Sequence, residues 1–259
     1  MTVGSGGVEY ENKVLNVLRP QIKNMPSFAI KESTAAFSAS EPDLVLMYNK
    51  RQQINIEIKQ DSKAQMGGGS YNYDMSKKEF FLTGKADIDP SLNDQIVNLL
   101  RSTIADDLDK LLKFVSERDA RVIAEKVKGL PLKATKRMWE TIVKERLLVP
   151  LNKSIPTSQT FIHDHYAKKS CYYIQIGGAG LFYLKSNPLG LPVPQLNTGM
   201  NIELRLGRGG STFDRSVGEN TASGNIRAQG RLIQFSSKSP YSLDKDGDFT
   251  KLFSNIKIK

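Results

Sequence analysis

Two short apolar runs, Asp43–Tyr48 (DLVLMY) and Ile54–Lys59 (INIEIK), are separated by five polar residues, Asn49-Lys50-Arg51-Gln52-Gln53. Runs of that length joined by a polar turn read as the two strands of a β-hairpin. Side chains on a strand alternate between its faces, so Glu57 and Lys59 share one face with Asn55, and Ile56 and Ile58 take the other. Asp43 opens the first strand and can sit across from the Glu57–Lys59 pair. A hairpin with one apolar and one charged face restricts both its packing and its chemistry.

The elements around the hairpin set the class of fold. Ser5, Gly6 and Gly7 lead into Val8, Tyr10, Val14, Leu15, Val17 and Leu18, an apolar pattern near helical spacing that Pro20 should end or kink. Residues 91–148 are mostly helical by pattern: Leu92, Ile96, Leu99, Leu100, Ile104, Leu108, Leu111, Leu112 and Val115 form one extended face, and Met138, Trp139, Ile142, Val143 and Leu147 another. In the last third, Tyr172–Ile176, Leu181–Leu184, Ile202–Leu206 and Arg231–Phe235 read as strands punctuated by glycine and proline. There is no internal repeat and no low-complexity linker. The expected fold is α+β, a central mixed sheet flanked by helices with a helical insertion. Residues 1–259 are read as one domain: a core at about 4–85, a helical region at about 91–148 and a β-rich part at about 160–259.

Composition narrows the partners. The 259 residues are 39% hydrophobic and 25% charged, ordinary values for a globular chain long enough to bury a core. Lysine and arginine number 37 against 27 acids, a formal charge of +10, which favours a polyanionic partner. Cys171 is the only cysteine, so an intramolecular disulfide and a cysteine-based zinc site are both excluded. No signal-peptide core and no apolar run of membrane-spanning length is present, and a cytoplasmic setting without a membrane partner is expected.

The chemistry is concentrated in Glu41-Pro42-Asp43-Leu44 and Asn55-Ile56-Glu57-Ile58-Lys59. Two carboxylates brought close together repel unless a cation lies between them. Magnesium suits this arrangement, because it takes one or two carboxylates and keeps several waters. The carbonyl of Ile58 offers a further oxygen, and Lys59 supplies positive charge where negative charge develops. Pro42-Asp43 followed fourteen residues later by Glu57-Ile58-Lys59 resembles the signature of the restriction-endonuclease-like, or PD-(D/E)xK, nuclease superfamily. The likeness is clearest over residues 4–63. It implies that the acids bind Mg²⁺, with Mn²⁺ as a substitute, and that Lys59 assists the nucleophile. It also implies a further carboxylate on a preceding helix, for which Glu11 is the first choice and Glu9 the alternative. Gln60, directly after the lysine, is a frequent companion in that superfamily.

The tail adds a second resemblance. Arg205-Leu206-Gly207-Arg208-Gly209-Gly210 and Asn225–Phe235 are similar to the end of certain four-base-cutting restriction enzymes. Arginines beside glycines let a backbone approach phosphates, so Arg205, Arg208 and Arg227 are DNA-binding candidates. The glycine-rich stretch Met66–Ser70 reads as a loop beside the active strand, with Tyr71 and Tyr73 available to stack on bases. It lacks the lysine of a nucleotide-binding P-loop, and Ile176–Gly180 lacks the helix and acid of a dinucleotide fingerprint. His163 and His165 would share a face on a strand but lack a third ligand, which points to a structural or DNA-proximal role. The basic excess over Arg121–Leu148 is read as a solvated helix face or a track for the DNA backbone.

These readings converge on a Mg²⁺-dependent endodeoxyribonuclease, double-strand and sequence-specific like a restriction enzyme, with DNA as partner and room for a homodimer. A homing, repair or junction-resolving endonuclease has the same chemistry. A non-catalytic basic DNA-binding protein is the competing class.

Overall fold

A computed structural model of the chain describes residues 5–31, 42–83, 88, 90–118, 129–130, 132–145, 154–157, 160–254 and 256. The protein is α+β, with helices α1 (Ser5–Lys23), α2 (Pro90–Arg118), α3 (Lys136–Lys144), α4 (Thr160–Lys168) and α5 (Asp248–Phe253). The strands are β1 (Phe28–Lys31), β2 (Leu44–Tyr48), β3 (Gln52–Lys59), β4 (Gly68–Asp74), β5 (Glu79–Thr83), β6 (Gly129–Leu130) and β7 (Leu132–Thr135). They continue with β8 (Ser154–Thr157), β9 (Cys171–Ile176), β10 (Gly180–Tyr183), β11 (Met200–Arg208), β12 (Thr212–Asp214) and β13 (Glu219–Leu232). The chain forms two compact units, one from residues 1–67, 156–200 and 231–259, the other from 68–155 and 201–230. Each unit is interleaved in sequence, so the segments at about 4–85, 91–148 and 160–259 do not correspond to these units.

The first unit holds a mixed five-stranded sheet of order β1-β2-β3-β9-β10. The hairpin forms as its alternation predicts, with Leu44 opposite Ile56 and Tyr48 opposite Gln52. Asn49 and Lys50 adopt left-handed φ values of 47° and 58°, which tightens the turn to Asn49-Lys50-Arg51 and extends β3 back to Gln52. On the other side β3 runs parallel to β9, pairing Glu57 with Ile174 and Lys59 with Ile176. The apolar face of this sheet, with Leu44, Leu46, Ile54, Ile56 and Ile58, packs in one core with Val14, Leu18 and Ile22 of α1 and with Phe249, Leu252 and Phe253 of α5. Valine, leucine and isoleucine four residues apart give α1 its buried stripe. Pro20 does not end α1. It is exposed, and the buried Gln21 and Ile22 carry the helix on to Lys23.

The second unit is built on an eight-stranded sheet with the path β5-β4-β13-β11-β8, to which β6, β7 and β12 attach. Several sequence expectations are corrected here. Among the described residues of 91–148, helix is confined to α2 and α3, and β6 and β7 lie between them, because Leu132 and Ala134 point inward and β7 pairs with β13. The glycine-rich stretch is not a loop throughout, since Gly68, Gly69 and Ser70 begin β4 and pair with β13. At Gly68 (φ 145°) an added Cβ would lie 2.0 Å from the carbonyl oxygen of Ala228, so only glycine admits that close strand. Tyr71 and Tyr73 are 0% and 1% exposed, their hydroxyls donating to Asn93 and Asp109 of α2, and they present no ring face to a base. The strand expected at Arg231–Phe235 is instead the end of the 14-residue β13, which stops at Leu232. Among the described residues no helix is long and apolar enough to cross a membrane.

Candidate active site

Asp43 lies one step beyond the last β2–β3 pair, where the ladder leaves the N–H of Ile58 without a main-chain partner. The Oδ2 atom of Asp43 accepts that N–H at 2.8 Å. A strand residue sends its N–H and C=O to the same side, so the Ile58 carbonyl also faces the Asp43 side, past the end of the ladder. Lys59 is out of phase with Ile58, and its carbonyl accepts the N–H of Gly177 at 2.8 Å on the β9 side. Gly177 follows β9, where an added Cβ would lie 1.9 Å from the carbonyl oxygen of Gln60. Glycine there lets the chain close against the end of β3.

Glu57 and Lys59 share one face of β3, as the alternation predicts, and that face is covered. The side chains of Glu57, Lys59 and Asp43 are 5%, 17% and 20% exposed. Lys59 Nζ sits 2.5 Å from Glu57 Oε1 and 3.8 Å from Asp43 Oδ2. The other carboxylate oxygen, Glu57 Oε2, is buried with no hydrogen-bond partner among the described residues. A buried carboxylate oxygen without a donor is costly, because it has given up water and received nothing in exchange.

The site's electrostatics follow from burial and crowding. Desolvation, then the charge of Glu57, push the Asp43 carboxyl up to about 6. Desolvation, then Asp43, push Glu11 on α1 up to about 7. Burial opposes the charge on Lys59, but the carboxylates of Glu57 and Asp43 outweigh it and hold the ammonium above the usual lysine range. Burial raises Tyr166 and Cys171 well above their ordinary values, so both remain neutral beside the acids.

The structure brings Asp43, Glu57 and Lys59 together, and Glu11 interacts electrostatically with all three. Glu9 is exposed, which favours Glu11 over its alternative. Glu11 remains within electrostatic reach only: among the described residues no group of three or more Asp, Glu, His or Cys side chains could hold an ion. Two carboxylates and one carbonyl are nevertheless a fitting set for Mg²⁺, which completes its shell with water, and the unpartnered Glu57 Oε2 is the oxygen such an ion would satisfy. Gln60 is exposed beside the start of α1, against Gly6. Arg205 is exposed and bonded to Glu203 at 2.6 Å, and Arg227 is exposed on β13; the side chain of Arg208 lies outside the described residues.

His163 and His165 are on helix α4, two residues apart, and therefore do not share a face as they would on a strand. His163 Nε2 lies 2.9 Å from the Leu196 carbonyl, and His165 stacks on Phe161 with its ring 6.0 Å away. Both serve packing. Three neighbours of the site carry no local sequence signal. They are Tyr166, Cys171 at the β3–β9 pairing, and the fully buried Gln175, whose register partner is Ile58.

Compared with protein-family models, curated proteins and solved structures, the chain matches none.

Proposed function

We propose that the chain is a Mg²⁺-dependent endodeoxyribonuclease that hydrolyses phosphodiester bonds in double-stranded DNA. The observation that carries this reading is Glu57 Oε2, a buried carboxylate oxygen with no donor among the described residues, on a side chain whose other oxygen contacts Lys59, which in turn lies 3.8 Å from Asp43. A purely structural ion pair would leave no such oxygen unsatisfied. Asp43, Glu57 and the Ile58 carbonyl would hold the ion, with Glu11 reaching it through water. When bound, the ion polarises the phosphate and acidifies a water molecule.

Lys59 is held protonated by its acidic neighbours, so it acts as a cation and not as a general base. Its ammonium offsets charge that accumulates on the phosphate and fixes the Glu57 carboxylate in place. The hydrogen bond from Ile58 to Asp43 orients that acid without occupying both of its oxygens. The formal charge of +10 supports a polyanionic substrate. The Arg-Gly-Gly and Gln-Phe tail supports a restriction-like, sequence-specific subtype.

The test is incubation of the full chain with supercoiled and linear DNA in Mg²⁺ or EDTA, followed by mapping of the ends. Discrete fragments that require Mg²⁺ and disappear in Glu57→Gln are expected. A correctly folded protein that binds DNA with steep salt dependence but leaves it intact would instead be a non-catalytic DNA-binding protein.

A further inference from the structure

Beside the candidate active site stands a second lysine that no acid contacts. Helix α4 closes with the N–H of Ser170 on the Ala167 carbonyl at 2.9 Å, and Ser170 takes a left-handed φ of 54° to turn the chain into β9. Lys169 sits in that turn, and its carbonyl accepts the side-chain amide of Asn55 at 3.1 Å. Asn55 is 8% exposed and lies two residues before Glu57 on β3, and its own oxygen accepts from Gln53 at 2.7 Å. The end of α4 is thereby pinned to the strand that carries Glu57 and Lys59. The Lys169 side chain is half-buried, with its ammonium 5.7 Å from the centre of the Tyr166 ring. Tyr166 is itself within electrostatic reach of Glu57, Lys59 and Asp43. Lys169 acts on the Asp43 carboxylate in the same way but lies beyond ion-pair distance of it. Among the described residues it has no carboxylate partner, because Glu57 and Asp43 share Lys59, and Asp164 of α4 is bonded by Lys185 at 2.7 Å.

We propose that Lys169 binds a phosphate of the DNA strand on the Asp43 side of the site. The two lysines divide the work. Lys59 lies 2.5 Å from Glu57 and 3.8 Å from Asp43, so its charge is committed to the acids. A phosphate approaching those acids meets repulsion that a further cation must offset, and Lys169 is the cation at hand. Asp43, at 20% exposed against 5% for Glu57, marks the more open side of the site, and it is the acid on which Lys169 acts. A lysine ammonium is a compact charge with three donors on a flexible stem. The Tyr166 ring attracts it without satisfying those donors. The Asn55 contact fixes where the side chain starts, so that only the stem has to be ordered when the anion arrives. That the anion is a DNA phosphate rests on the proposed nuclease function, but the contact itself does not depend on cleavage.

The experiment measures binding of the full chain to short DNA duplexes in Ca²⁺ over a series of salt concentrations. Lys169→Met, melting like wild type, should bind about 10-fold more weakly. Its slope of log affinity against log salt should be shallower by about 0.9, the share of one phosphate. Lys169→Arg should keep both wild-type values, and Lys169→Gln repeats the test should the methionine variant melt early. The loss should be the same on duplexes of unrelated sequence, since a phosphate carries no base identity. Mn²⁺ binding without DNA should be no weaker than in wild type. The proposal is overturned by unchanged affinity and slope in the charge-free variants, by an equal loss in Lys169→Arg, or by a wild type that does not bind duplex at all. Weaker Mn²⁺ binding with an unchanged salt slope also overturns it, since Lys169 would then serve only to order the acids. Plasmid cleavage in Mg²⁺, run in parallel, separates the two ideas. Cutting by wild type with an unaltered slope in Lys169→Met sinks the phosphate contact alone, and a reduced slope without cutting by wild type sinks the nuclease alone.

Discussion

Asp43 is anchored by the strand that carries the other acid: its Oδ2 accepts the N–H of Ile58 at 2.8 Å, one residue from Glu57. The same contact that orients Asp43 holds it against a second carboxylate. Without an ion the arrangement is therefore electrostatically unfavourable. Its carboxyl lies near 3.8 ordinarily and at about 6 in the folded protein. Between those values the folded chain retains a proton that the unfolded chain has lost, so this group's stabilising contribution is full below 3.8 and lost as pH rises through 6.

Asp43→Asn should therefore stabilise the metal-free protein at pH values above that range, by about 1–3 kcal/mol. The asparagine oxygen still accepts from Ile58 while the repulsion with Glu57 disappears. The advantage should fade on acidification toward the unfolded value, and cleavage should fall by at least about 10³-fold. Thermal or denaturant unfolding in EDTA across pH, beside a cleavage assay, measures both effects. A destabilised variant at neutral pH would contradict the strain assigned to the pair.

Lys59 and Glu57 form a pair in which each partner masks the other's burial. Lys59→Met leaves the Glu57 carboxylate, only 5% exposed, without its cation. A loss of about 3–5 kcal/mol is expected for breaking such a pair from one side. Adding Glu57→Met to that variant should recover most of the loss, because no isolated charge then remains buried. The four-protein cycle, read by urea unfolding, should give a coupling of at least about 1 kcal/mol. Independent, additive losses would show that the 2.5 Å contact is energetically unimportant.

Metal binding should release protons. Glu11 at about 7 and Asp43 at about 6 are both partly protonated just below neutrality, and an ion favours their ionised forms. The apparent Mg²⁺ affinity should accordingly rise with pH through this range. Calorimetric titrations in two buffers of different ionisation enthalpy count the protons displaced. Glu11→Gln should lower that count and remove the component nearest 7. Identical heats in both buffers would mean that neither carboxyl is linked to the ion.

The hairpin and its acids were legible in the sequence because they depend on neighbours along the chain. Alternation placed Glu57 with Lys59, and a short polar turn brought Asp43 across. Helix α1 was legible for a similar reason, although Pro20 falls on its exposed side and so did not end it. What surrounds the site comes from parallel pairing of β3 with β9, more than a hundred residues later, for which no local pattern exists. That is why no local pattern ties Tyr166, Cys171 or Gln175 to the site. Tyr71 and Tyr73 misled for the opposite reason: preceding glycines suggested a loop, whereas Gly68 is there to admit β13 against β4.

Gln175 offers the sharpest test of how α1 is held to the site's sheet. It is 0% exposed on β9, opposite Ile58 in register. Its amide nitrogen donates to Tyr10 at 3.0 Å and to Ser242 at 2.8 Å, while its oxygen accepts the Leu243 N–H at 2.9 Å. Tyr10 directly precedes Glu11, and Lys13 on the same helix bonds Asp244 at 3.0 Å. One buried amide thus ties β9, α1 and the segment before α5 together. Gln175→Leu preserves much of the volume but leaves the Leu243 N–H without its acceptor, and a loss of about 2–4 kcal/mol is expected. Hydrogen exchange should then speed up in residues 242–244 and in the first turns of α1, with β2 and β3 protected as before. Uniform acceleration across the whole sheet would show that Gln175 supports the core in general and has no particular hold on α1.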